Sequence, residues 1–143
     1  MKAKIAVAAD HAGFYMKEFI FSTLEKEGYE VRNFGTFSDN SVDYPDFAHT
    51  LAQAVSAGEY DYGFLFCGSG NGVNMTANKH KNVRSALCWE SEIARLARAH
   101  NNANVCAIPA RFISANETAS IVTAFLNTSF EGGRHEQRVQ KIC

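Results

Sequence analysis

Tyr62-Gly63-Phe64-Leu65-Phe66-Cys67-Gly68-Ser69-Gly70-Asn71-Gly72 is the stretch that decides the fold. Its first half, Tyr62 to Phe66, is a short apolar run with almost nothing polar to face water. Such a run suits a strand covered on both faces, as in a parallel sheet. In the second half three glycines alternate with small polar residues, and a helical pattern follows from Val73 to His80. Alternating glycines let successive backbone N–H groups turn toward one point, which makes a concave donor nest for an anion. A helix that starts there adds its free N–H groups and the positive end of its dipole. The bland reading of the same glycines is a tight strand-to-helix turn.

The same rhythm extends in both directions. Lys4 to Ala9 is an apolar strand that stops at Asp10-His11-Ala12-Gly13. Phe14 to Glu27 carries Phe14, Tyr15, Phe19, Ile20 and Leu24 near a helical period, and Gly28 ends it. Strands are expected over Glu30–Phe34, Val83–Cys88 and Ala103–Ile108, and helices over Asp46–Ala57, Glu90–Ala99 and Asn116–Asn127. A polar loop spans Gly35–Pro45, and residues 130–143 form a polar tail with helical potential. Strands alternating with helices predict an α/β protein: a single Rossmann-like three-layer sandwich, its five-stranded parallel sheet covered by helices on both faces. Residues 1–143 read as one domain.

Composition narrows the function. The chain has 143 residues and a net charge of −1, so no global basic field points to nucleic acid or anionic lipid. The apolar run at the N-terminus is too short for a signal peptide, and no stretch approaches a membrane span. These features predict a cytoplasmic protein. Cys67, Cys88, Cys106 and Cys143 are widely spaced with no C-x-x-C, which argues against structural zinc or a disulfide framework. Cys88 and Cys106 lie in apolar runs and read as small buried hydrophobes. Five histidines without an H-E-x-x-H pattern argue against a catalytic metal. His49 and His80 read as surface or packing residues.

In doubly wound sheets ligands gather at the carboxyl ends of the strands. Asp10-His11 after the first strand and Cys67-Gly68-Ser69 after the third are therefore the prime candidates. Neither segment matches G-x-G-x-x-G, and no Walker lysine follows Gly72, so a nucleotide is disfavoured. A cysteine at the lip of a donor nest is expected to ionise readily. A thiolate beside such a nest suits acyl transfer, or proton abstraction next to a carbonyl. On its own, Cys67 also fits a buried structural thiol.

His100-Asn101-Asn102 closes the helix after the fourth strand, where a histidine often complements the helix dipole and asparagine caps the end. That helix ends at the amino edge of the sheet, away from Cys67. A catalytic His100 would therefore serve the Cys67 of a neighbouring subunit, in an oligomer with shared sites. Arg134 and Arg138 would stand one helical turn apart if the tail is helical, a pairing suited to a phosphate dianion. An ordinary solvated basic face is the alternative. Arg111 follows the fifth strand at the expected ligand edge.

Six blocks carry a more specific resemblance: Asp10-His11-Ala12-Gly13, Ser41-Val42-Asp43-Tyr44-Pro45-Asp46, Cys67-Gly68-Ser69-Gly70-Asn71-Gly72, Ala77-Asn78-Lys79, His100-Asn101-Asn102-Ala103-Asn104-Val105 and Gly132-Gly133-Arg134-His135. In this order they resemble the type B ribose-5-phosphate isomerases and the related galactose-6-phosphate isomerase subunits, over essentially the whole chain. The resemblance implies an aldose–ketose isomerase acting on ribose 5-phosphate and ribulose 5-phosphate without metal or organic cofactor. It implies that Cys67 is the base and that His100 assists ring opening. By the same resemblance Asp10 and His11 contact substrate, and the backbone of Gly68, Ser69, Gly70, Asn71 and Gly72 holds the enediolate oxygen. Asn101 would bind the sugar, and Arg111, Arg134 and Arg138 the phosphate. Family members are homodimers or larger assemblies, such as homotetramers, with sites between subunits.

Three positions depart from the family pattern. Ser69 replaces a common threonine, Val73 stands where one branch carries a glutamate base, and Pro109 stands where glycine is frequent. An isomerase of a six-carbon phosphosugar is the nearest rival, and a non-catalytic phosphosugar sensor the more distant one. The sensor would need neither Cys67 nor His100.

Overall fold

The computed structural model describes residues 2–142, and Cys143 lies outside them. Five strands are present: β1 (Lys4–Ala9), β2 (Glu30–Asn33), β3 (Tyr62–Cys67), β4 (Ser85–Leu87) and β5 (Val105–Pro109). Six helices accompany them: α1 (Phe14–Lys26), α2 (Tyr44–Ser56), α3 (Asn71–Ala77), α4 (Ser91–Asn101), α5 (Ala115–Leu126) and α6 (Arg134–Gln140). The strands form one parallel sheet in the order β2-β1-β3-β5-β4.

Side-chain alternation along the strands sorts the core into two layers, as a period of two requires. Ile5, Val7 and Ala9 of β1, with Phe64 and Phe66 of β3, pack under α1, α4 and α5 through Ile20, Leu24, Ala94, Ile121 and Phe125. Ala6, Ala8 and Leu65 face the other way, beneath Leu51 and Val55 of α2 and Val73 and Ala77 of α3. Both faces are thus covered, as the apolar strands require. Val73, the position at which a carboxylate base was absent, lies fully inside this second layer.

From β1 the chain moves outward to β2, then crosses back so that β3 lies on the other side of β1. Adjacent strands β1 and β3 therefore leave the sheet in opposite directions, and their carboxyl ends open a crevice. Ala9 pairs with Phe66, which brings Asp10 beside Cys67. The Asp10 N–H donates to the Phe66 carbonyl at 3.2 Å across that crevice. Gly13 is required here, because a methyl on it would lie 2.4 Å from the Phe66 carbonyl oxygen.

The elements differ from the expected ones mainly at their ends. Helix α2 begins at Tyr44 rather than Asp46, because Pro45 lies in its first turn, where the missing N–H costs nothing. Helix α3 begins at Asn71, since Gly70 turns the chain with φ +77°. The tail carries α6, so Arg134 and Arg138 do stand one turn apart.

Candidate active site

Cys67 ends β3 with its residue 5% exposed, in register with Pro109 of β5. The Gly70 N–H donates to its Sγ at 3.1 Å, so a backbone dipole is aimed at whatever negative charge the sulfur carries. Only the middle glycine of the run has a left-handed φ; its neighbours are required for close approach instead. Arg111 lies over Gly68, with its Cδ 3.3 Å from where a methyl would be. The Tyr44 ring covers Gly72 at 2.5 Å by the same measure. The loop after β5 is tied down by Ala110 and Arg111 N–H groups donating to the Cys67 and Gly68 carbonyls, at 2.9 and 3.1 Å. The cationic Arg111 thus belongs to the same crevice as Cys67.

Across the crevice, the Asp10 carboxylate is held in place by donation from the Ala12 and Gly13 N–H groups, at 2.9 and 3.1 Å. Both bonds fall on Oδ1, which leaves Oδ2 for a ligand. His11 accepts the Val42 N–H on Nδ1 at 3.2 Å. The proton of the neutral ring then resides on Nε2, which makes that atom a donor.

The second group of expected site residues sits at the opposite edge of the sheet. Helix α4 runs antiparallel to the strands and ends at Asn102, which takes a left-handed conformation with φ +49° and donates to Arg98. The buried Arg98 guanidinium donates to Asn102 Oδ1, the Ala103 carbonyl and the Thr128 carbonyl, and stacks 4.9 Å over the Tyr62 ring. This fixes the turn that presents His100 and Asn101. The Glu131 N–H donates to the Ala99 carbonyl, which brings the segment before α6 to the same place. His135 stacks on His100 with ring centroids 4.2 Å apart and planes 12° from parallel. Arg134 and Arg138 flank His135 on α6. Burial, with His100 and Arg134 nearby, holds the His135 imidazole below its ordinary range.

Within one chain the two groups do not meet. Strand β3 separates them by about 16 Å, from five steps of ~3.3 Å each. The structure therefore unites Asp10, His11, Cys67, the Gly68–Gly72 backbone and Arg111 at one edge, and His100, Asn101, Arg134 and Arg138 at the other. Several apolar side chains are exposed on the side of the first edge: Tyr44 at the start of α2, Trp89 and Phe112 in the segments after β4 and β5, and Met75 farther along α3.

Three features of this arrangement escaped the sequence. Arg98 was invisible because a charged residue on a helix gives no sign of burial. The Tyr44–Gly72 contact joins two distant segments. His49 Nδ1 and His80 Nε2 lie 2.7 Å apart, a pairing that their reading as surface or packing residues did not specify. Cys88 and Cys106 are buried as expected, and that burial, with Cys88 beside it, pushes the Cys106 thiol well up. No described helix is long and apolar enough to cross a membrane.

Comparison with known proteins places these features in context. The model of the family described as Ribose/Galactose Isomerase matches residues 5–142. Ribose-5-phosphate isomerase B of Escherichia coli K12 is 43% identical over 139 residues, covering 97% of this chain and 93% of that protein. The crystal structure of a ribose 5-phosphate isomerase from Thermotoga maritima superposes with a TM-score of 0.97 at 47% identity, covering 99% and 98% of the two chains. Ribose-5-phosphate isomerase B from Mycoplasma genitalium, solved with bound ribulose 5-phosphate, gives a TM-score of 0.94 at 42% identity, covering 97% and 93%.

Proposed function

Because this chain belongs to the ribose/galactose isomerase family, we propose that it interconverts D-ribose 5-phosphate and D-ribulose 5-phosphate, with Cys67 as the base. The observation that carries the reading is Cys67 itself: nearly buried at the switch of the sheet, with the Gly70 N–H aimed at its sulfur and Asp10 across the crevice. A relative of the same fold binding ribulose 5-phosphate supports the choice of a pentose phosphate.

The chemistry needs two stages. Ribose 5-phosphate is mainly a closed ring, and opening it breaks the C1–O4 bond. One proton leaves the anomeric hydroxyl and one reaches the ring oxygen, and His100 is the group assigned to that exchange. In the open aldose, the Cys67 thiolate removes the C2 proton while the electron pair moves onto O1. The resulting enediolate is met by the Gly68–Gly72 N–H groups, a preorganised donor set of the kind worth about 10²–10³ in rate. Cys67 returns its proton to C1, and transfer of a proton from O2 to O1 completes the ketose. Asp10 Oδ2 and the His11 Nε2–H are placed to hold the sugar oxygens. The thiol bridges C2 and C1 without leaving its place, and a positioned base typically contributes about 10²–10⁴.

Because His100 and Cys67 lie at opposite edges, the working unit is an oligomer of this chain. His100, Asn101, Arg134 and Arg138 of one copy complete the crevice of another. The exposed side chains of Tyr44, Met75, Trp89 and Phe112 are surface such a partner would cover. In this arrangement the tail from residue 130 supplies phosphate-gripping arginines, joined by Arg111. Binding energy remote from C1 and C2 then orients the reacting carbons. Unpaired Cys67, Cys88 and Cys106 suit a reducing, cytoplasmic setting.

The test is turnover of ribose 5-phosphate by the purified protein with a chelator present, beside allose 6-phosphate. Rapid, chelator-insensitive turnover with the pentose preferred is expected. Preference for the hexose would overturn the substrate assignment, and no turnover of either would overturn the reaction.

A further inference from the structure

Three ligand-type side chains converge at the amino edge of the sheet, from three separate elements. His100 comes from the last turn of α4, Glu131 from the segment before α6, and His135 from the first turn of α6. Both histidines present Nε2 to the same carboxylate oxygen, Glu131 Oε1, at 3.9 Å from His100 and 3.6 Å from His135. One ligand atom from each residue falls within 4.8 Å of the other two.

From this convergence we propose that His100, Glu131 and His135 form a binding site for a divalent transition-metal ion of the zinc class, and that its occupation inhibits the enzyme.

The donor set fits the ion. Two imidazole nitrogens and one carboxylate oxygen are a known ligand combination for zinc, with a fourth position left open. Bonds of about 2.0–2.1 Å in a tetrahedral site put ligand atoms about 3.3 Å apart, so each imidazole must draw nearer to Glu131, and the two rings, now nearly parallel, must turn so that both nitrogen lone pairs meet at one point. The side chains that must move are free to do so, since His100 and Glu131 are 36% and 54% exposed. Metal binding also requires deprotonated imidazole.

The surroundings set the strength. Glu131 contributes the cluster's single negative charge, whereas Arg134 and Arg138 stand on α6 beside His135. Their positive charge opposes a dication, so the affinity falls below that of structural zinc sites. The ion is therefore a reversible ligand and not a resident cofactor. Inhibition follows from the use of His100 Nε2, which a bound metal withdraws from proton exchange with the sugar ring. That second half of the inference rests on the role given to His100 under the proposed function, whereas the binding half does not.

The experiment separates the two. Zinc binding to the intact protein is measured by competition with a chromogenic chelator, and cobalt(II) is used as a spectroscopic probe. One ion per chain is expected. Glu131→Gln and His135→Phe, which keep the size of the side chain, should each weaken binding by more than about tenfold, since even partners one step removed from a metal cost 10–100-fold. Cobalt should show tetrahedral ligand-field bands with no thiolate charge transfer. Binding that is unchanged in both variants, or a thiolate band that persists in Glu131→Gln, would place the metal elsewhere and overturn the site. In the activity assay, zinc should slow turnover of ribose 5-phosphate in the wild type, reversibly with chelator, and far less in Glu131→Gln. Zinc that binds at the site without slowing turnover would overturn the inhibitory role, and with it the ring-opening assignment of His100, while leaving the site in place.

Discussion

Replacing Gly70 by alanine tests the geometry on which Cys67 depends. Gly70 has φ +77°, where an L side chain is strained by about 1–2 kcal/mol. A methyl there would lie 2.6 Å from Leu87 Cδ1 and 3.2 Å from the Ile108 carbonyl carbon and the Pro109 nitrogen. The Leu87 methyl can rotate, but the β5 backbone cannot, so overpacking adds about 1–3 kcal/mol. Together the substitution should cost about 2–5 kcal/mol. Gly132→Ala is the matched control: its φ is +68°, yet nothing lies within 4 Å of the added methyl. That variant should lose only the backbone contribution, about 1–2 kcal/mol. Urea unfolding of both, at one fixed protomer concentration because assembly shifts apparent stability, reads the difference. Gly70→Ala also shifts the N–H that donates to Cys67 Sγ, so kcat should fall by about 10²–10³ in addition. Equal stability losses in the two variants would refute the tight contact with β5. A large stability loss with unchanged kcat would refute a catalytic role for that N–H.

Other expectations follow from the same geometry. Cys67→Ala should keep the fold and the binding of phosphosugar while lowering turnover by at least about 10²–10⁴; undiminished turnover would remove the base assignment. His100→Ala should impair cyclic ribose 5-phosphate more than an open-chain substrate, and equal losses on both would contradict the ring-opening role. Arg134→Ala should act mainly by raising KM, so an unchanged KM would return α6 to an ordinary solvated face. Stability should fall with acid: burial lowers the affinity of folded His135 and His80 for a proton. Their contribution is complete above the unfolded imidazole value of about 6.5 and is lost as pH drops through the lower folded values. Unfolding free energies of the wild type and His135→Asn across that window check this, and an identical pH slope in the variant would contradict it.

How much of this could be read from the chain depends on the range of the interactions involved. Apolar strands such as Lys4–Ala9 and Tyr62–Cys67 declare themselves because burial on two faces leaves almost no polar residue in the run. Their carboxyl ends then locate Asp10 and Cys67 through topology alone. Helix ends drifted by a residue or two where a single turn residue decides them, as Pro45 and Gly70 do. The roles of individual glycines were harder to read. Alternation suggested three equivalent nest positions, whereas one supplies a left-handed turn and two admit the side chains of Arg111 and Tyr44. Contacts between distant segments left no local signal at all. The buried Arg98 that pins the end of α4, and the meeting of His100 with Glu131 and His135, arise only when three elements reach the same edge.

The central claim is an isomerase site completed by a second copy of the chain, and complementation between two dead variants tests it most directly. Cys67→Ala and His100→Ala are each assayed alone on ribose 5-phosphate, then co-expressed and purified together. Random pairing makes half the dimers mixed, and each mixed dimer has one intact site of its two. The account therefore predicts recovery of about a quarter of wild-type turnover from parents that are nearly inactive. A mixed preparation as inactive as its parents would contradict the shared site.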